Sequence, residues 1–121
     1  MRIAWKSKGV PPLMAIGGDN DYLRKRAIRR IVNQAHSNGY EIAFADSDSE
    51  VVSALTMGST FEQPTLVVVS PLDVDQATLI EHREDPPEQV GILLQVDGPL
   101  DENKAPSLSL VHGAYTQEFS K

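Results

Sequence analysis

The chain contains no cysteine. Disulfide staples, thiolate zinc sites and cysteine nucleophiles are excluded on that ground. No apolar run approaches the roughly 18 residues that span a bilayer. The opening stretch MRIAWKSKGVPP is positively charged but has no apolar segment, so it does not read as a secretory signal. The expected location is the cytoplasm. Cations become scarce after residue 30. Residues 31–121 hold three Lys/Arg against fifteen Asp/Glu, whereas residues 1–30 hold eight against two. The net charge of −6 therefore divides into a +6 segment and a −12 remainder. A general DNA-binding domain is usually basic throughout. Here one segment alone attracts phosphate.

What is present is globular composition: 121 residues, 40% apolar and 23% charged. That length fits one domain, 1–121, with a modest core. Leu13-Met14-Ala15-Ile16 reads as a buried strand that ends in a tight turn at Gly17-Gly18-Asp19. Asp19, Asn20 and Asp21 supply capping oxygens for a helix over 21–37. Its apolar face is Leu23, Ala27, Ile31 and Ala35, with Ile28 and Val32 beside them, and Asn38-Gly39 closes it. Residues 40–45 (YEIAFA) alternate into a second strand. Ser47 and Glu50 form a capping box for a second helix, with Val51, Ala54 and Leu55 on its apolar face and Gly58 as its expected terminator.

Leu66-Val67-Val68-Val69 is apolar on both faces, as a central parallel strand requires. A third helix is expected from Asp73, and Pro86-Pro87 ends that region. Residues 91–96 form a fourth strand. The tail holds a short helical turn, then an extended run at Ser109-Leu110-Val111 or at Tyr115 to Phe119. Strands recur about every 25–30 residues, with helices between them. The pattern predicts an α/β fold of three layers, a mostly parallel sheet with helices on both faces.

In such a sheet, ligands lie beyond the carboxyl ends of the strands. The first strand–helix turn lacks a P-loop. Counted from Gly17, the positions for the second Gly, the Lys and the Ser/Thr hold Tyr22, Leu23 and Arg24; from Gly18 they hold Leu23, Arg24 and Lys25. Asp19 and Asp21 would also repel phosphate. GxGxxG, HExxH and GxSxG are absent as well. A capped structural turn is the reading this favours, and no cofactor is expected.

Acidic residues offer a second chemistry. Asp73 and Asp75 follow the third strand and Asp46 follows the second, and paired carboxylates there can hold magnesium for phosphoryl transfer or nuclease chemistry. The plainer reading is that Asp73 and Ser47 cap helices and their neighbours serve the helix dipole. His36, His82 and His112 have no spaced partner and read as helix-end or surface histidines. Arg26, Arg29 and Arg30, with Asn33, share a helix face opposite Leu23, Ala27 and Ile31. That stripe meets DNA phosphates or an acidic subunit, or it is simply solvated. In the loop 57–64, Phe61 either anchors in a partner's hydrophobic pocket or tucks back onto its own sheet.

Three stretches, in order, carry a family resemblance: LMAIGGDNDYLRKRAIRRIV, VVSALTMGSTFEQPTLVVVSPLD and DPPEQVGILLQVDGPLDENK. Together they resemble the N-terminal domain of the delta subunit of the bacterial DNA polymerase III clamp loader, over almost the whole chain from about residue 13. The resemblance implies an AAA+/RecA-like sheet with a degenerate nucleotide site. It implies a non-catalytic replication protein that grips the sliding clamp, works with other loader subunits and reaches DNA through the loader complex. The family's grip uses a Leu-Phe pair at the end of the second helix. Phe61 matches the Phe, Thr60 stands where the Leu is expected, and Met57 is the nearest source of replacement apolar contact. The family's chains continue into linker and collar domains that this sequence does not contain, so it is either a piece of a longer protein or a reduced relative. A divergent, phage-type relative would account for both departures. The rival readings are a magnesium-dependent enzyme using Asp73 and Asp75, and a small-ligand-binding Rossmann-like module.

Overall fold

A computed structural model of the chain describes residues 10–111 and 115–119. The elements run β1 (Leu13–Gly17), α1 (Asp21–Ser37), β2 (Glu41–Phe44), α2 (Asp48–Thr60), β3 (Thr65–Val69), α3 (Gln76–Glu84) and β4 (Val90–Gln95). A 3-10 helix (Pro106–Leu110) and β5 (Thr116–Glu118) complete them. All five strands are parallel, in the order β2-β3-β4-β1-β5. Two pairings set the register of the centre: Val67 lies opposite Ile92, and Ala15 opposite Leu94.

The three central strands β1, β3 and β4 are buried on both faces, which is why their sequences are continuously apolar. Alternate residues feed two cores. Met14, Ile16, Leu66, Val68 and Leu93 pack under α1. Ala15, Val67, Val69, Ile92 and Leu94 pack under α2, α3 and the 3-10 helix. Each large side chain so enclosed contributes about 1.5–3 kcal/mol by leaving water. The result is the α/β, three-layer architecture with helices on both faces. β1 and β2 are adjacent in the two common doubly wound strand orders, whereas here β3 and β4 separate them.

Three local expectations need correction, and one open alternative is decided. Leu23 is exposed, and Arg24 takes its place in the buried stripe with Ile28, Ile31 and Ala35. The guanidinium is tolerated there because it finds acceptors at the end of β1. Gly58 does not end α2; it lies inside the helix and faces the sheet. A Cβ there would stand 2.8 Å from Thr65 Oγ1, so glycine permits the close approach of helix to strand. The third helix begins at Gln76, not Asp73, because Asp73 closes a turn onto the Ser70 carbonyl (3.0 Å) after Pro71. Of the two candidate extended runs in the tail, Ser109 and Leu110 belong to the 3-10 helix, and the strand forms at Thr116–Glu118.

Candidate partner-binding site

The turn after β1 lies beside the point where chain connections diverge: α1 leaves on one face, while the chain after β4 leaves on the other. That crevice is filled by the protein's own main chain. Gly18 has φ +118°, and a Cβ there would stand 2.0 Å from the Phe119 carbonyl oxygen. Phe119 N–H donates to the Gly17 carbonyl (2.9 Å), and Asn20 N–H donates to the Phe119 carbonyl (2.9 Å). The Asn20 side chain accepts from Leu23 N–H, so a donor at the start of α1 is also taken.

Arg24, only 4% exposed, knits the turn together. It donates to the Gly18 carbonyl (2.8 Å) and pairs with Asp97 (3.1 Å) and Asp21. Hydrogen bonding to Lys25, with the charges of Lys25 and Arg24 behind it, holds the Asp21 carboxyl below its ordinary range.

Near the ends of β2 and β3 the capping side chains are Ser47, Glu50 and Asp48, while Asp46, Asp73 and Asp75 make no side-chain cap bond among the described residues. Ser47 Oγ accepts from Glu50 N–H, and the Glu50 carboxylate accepts from Asp46 N–H. Asp48 Oδ1 accepts from Asp75 N–H (2.9 Å) and from the Thr78 hydroxyl (2.8 Å), so α2 supplies the cap of α3. Asp73 and Asp75 are exposed. Among the described residues no three His, Asp or Glu side chains are grouped to hold a metal ion. His36 is exposed in the last turn of α1. His82 is at a helix end but buried, with Nε2 3.0 Å from the Pro12 carbonyl oxygen. That oxygen can only accept, so Nε2 carries the proton. His112 lies outside the described residues.

The end of α2 exposes Phe61. Gln63 N–H donates to the Gly58 carbonyl (3.0 Å) and Glu62 N–H to the Ser59 carbonyl, with Glu62 at φ 50°. These paired bonds are the left-handed helix ending usually built on glycine. They make Phe61 the C-cap that closes α2, with the residue 72% exposed. Of the two alternatives for Phe61, the ring faces outward and does not tuck back onto the sheet.

Met57, one turn earlier, is 58% exposed. Both border a groove of about 440 Å³ between α2 and β2, floored by Ala43, Ala54 and Gly58. Thr60, although exposed, lies elsewhere, beside the cleft between α2 and α3 that Thr78 and His82 also line. The structure thus brings Met57 and Phe61 together and separates Thr60 from them.

Arg26, Arg29 and Arg30 are all exposed. Arg26 and Arg30 share a groove of about 320 Å³ between α1 and β5, with Gln117 and Phe119 opposite; Arg29 is not part of it. Sequence reasoning missed Phe44, 68% exposed at the end of β2. Its alternation with the buried Tyr40 and half-buried Ile42 marks a core face. However, α1 leads into the start of β2, and Phe44 at the far end of that face stays exposed.

The sequence matches no protein-family model, and no curated protein matches it. No helix among the described residues is long and apolar enough to cross a membrane.

Proposed function

We propose that the chain is a non-catalytic DNA-replication protein of the clamp-loader delta type, which holds a sliding clamp through Phe61 and Met57. The observation that carries this reading is the exposed Phe61 at the C-cap of α2, with Met57 one turn behind it. Two apolar side chains at this spacing stand on one side of a helix and can enter one hydrophobic pocket. Thr60 lies apart from them, so the grip rests on Met57 and Phe61 in place of an adjacent Leu-Phe pair. The non-catalytic part of the reading is supported by the turn after β1, where the main chain of Phe119 lies against Gly18 and takes the Asn20 N–H. Arg26 and Arg30 offer a second contact, to DNA or to another loader subunit.

Surface plasmon resonance of the chain against its cognate clamp tests the assignment. Phe61→Ala should weaken binding about 30-fold or more, the equivalent of about 2 kcal/mol for a buried aromatic anchor, with melting unchanged. Equal affinity for wild type and variant would remove Phe61 from the contact.

A further inference from the structure

β2 is an edge strand, bonded only to β3 among the described residues. Glu41 N–H donates to the Pro64 carbonyl (2.8 Å) and Ala45 N–H to the Val68 carbonyl (2.9 Å). Main-chain groups alternate sides along a strand, so Ile42 and Phe44 direct theirs at the open edge. Native proteins blunt such an edge by keeping it very short or with charge (especially Lys), Pro or a bulge; β2 is short, at four residues, with Glu41 as its one charged residue. β2 contains neither Lys nor Pro. Beside it lies the groove floored by Ala43, Ala54 and Gly58, wide enough for a side chain and walled by Met57 and Phe61.

Charge identifies what such an edge would take. No Lys or Arg occurs from residue 31 to residue 82, which covers β2, α2 and β3. Glu41, Asp46 and Glu62 are exposed there, and among the described residues none has a cation within ion-pair distance. We propose that β2 and its groove dock an extended, Lys- or Arg-bearing segment of another protein as an added strand at the sheet edge. Its main chain pairs with Ile42 and Phe44, alternate apolar side chains enter the groove or cover the Phe44 ring, and its cations face Glu41 and Glu62. Strand addition of this kind takes affinity from the main chain and specificity from alternate side chains. A second copy of this chain fits less well. Among the described residues its exposed cations lie on α1 (Lys25, Arg26, Arg29, Arg30), on α3 (Arg83) and in the turn at Lys104, and no described strand carries a Lys or Arg that could be added to the edge. The proposal shares Met57 and Phe61 with the clamp reading but also requires the main chain of Ile42 and Phe44, which that reading does not.

The test is selection of a displayed library of short random peptides on the full chain, followed by fluorescence anisotropy of the best binder. Recovered peptides should alternate apolar residues with Lys or Arg. Phe44→Pro removes an outward N–H without touching the β3 ladder, a substitution edge strands tolerate. It should cost at least about tenfold in affinity, and more than Phe44→Ala, because the main-chain pairing is lost as well as the ring. Glu41→Gln with Glu62→Gln should weaken binding and flatten its salt dependence. In the unmutated chain, amide exchange at Ile42 and Phe44 should slow when peptide is added, a readout that holds even if Phe44→Pro does not fold. Failure to select any peptide, selection of acidic or helix-forming peptides, or unaltered exchange at Ile42 and Phe44 would overturn the proposal. So would self-association that protects this edge. Clamp binding that survives Phe44→Pro but not Phe61→Ala would leave the clamp reading standing by itself.

Discussion

Asp48 caps a helix to which it does not belong: its carboxylate accepts the Thr78 hydroxyl at 2.8 Å, thirty residues away in the chain, and the Asp75 N–H at 2.9 Å. Asp75 itself makes no side-chain cap bond. The start of α3 is therefore set by α2, through a contact of high sequence separation. Asp48→Ala should cost about 0.5–2 kcal/mol, the range for a lost helix cap. Asp48→Asn keeps an acceptor and should cost less. Thermal melting checks both, and equal melting of wild type and Asp48→Ala would refute the shared cap.

His82 makes stability depend on pH. Burial lowers its pKa below the ordinary 6.5, while the carbonyls of Pro12 and Val90 act in the opposite direction. Between the folded pKa and 6.5 the unfolded chain binds more protons, so stability rises with pH in that window. The contribution is fully present above pH 6.5 and is lost as pH falls through the folded value. Urea melts across this range should show the slope in wild type and its reduction in His82→Gln. An identical slope in the variant would move the dependence to another group.

The groove beside β5 makes a claim about salt. If Arg26 and Arg30 meet DNA phosphates, replacing each with Gln should make the log–log salt dependence shallower by roughly 0.9 per contact on duplex DNA. Arg29→Gln, outside that groove, should change it less. Three equal effects would discount the groove, and no DNA binding at low salt would leave the stripe to a protein partner or to solvent.

Gly18 is the residue on which closure of the first turn depends. Gly18→Ala places a Cβ at φ +118° against the Phe119 main chain. The strain and the displaced β5 end should cost about 1–3 kcal/mol. Hydrogen exchange should quicken at the Phe119 and Asn20 amides. Unchanged protection there would mean that the end of β5 can move aside freely.

The capping box at Ser47, the closure of α1 at Asn38-Gly39 and the buried runs of β1, β3 and β4 could all be read before the fold was known. Each is written in adjacent residues: a hydroxyl three positions before a carboxylate, a glycine after a periodic stripe, or an unbroken apolar run. Gly58 shows where that reading stops. A glycine late in a helix looks like a stop signal, but its role here is decided by Thr65, which only the packed sheet brings against it. Arg24 is similar. Its burial depends on Gly18, at the other end of the turn, and on Asp97, more than seventy residues on.

The candidate site divides along the same line. Phe61 could be singled out from its neighbours, but whether its ring faced outward could not. The paired bonds from Glu62 and Gln63 settle that, with a glutamate in the position glycine usually takes. Phe44 and the edge groove had no local sign. Alternation states which face a side chain takes, not whether another element will cover it.

Local chemistry is enough to determine the order of strands and helices, the caps of α1 and α2 and the absence of a P-loop, because each depends on groups close together in the chain. The placement of β2 at an open edge, the plug of Phe119 at the first turn and the meeting of Met57 with Phe61 over Ala43 were decided by tertiary structure alone. They depend on which strands become neighbours, and that is settled by packing all the apolar faces at once.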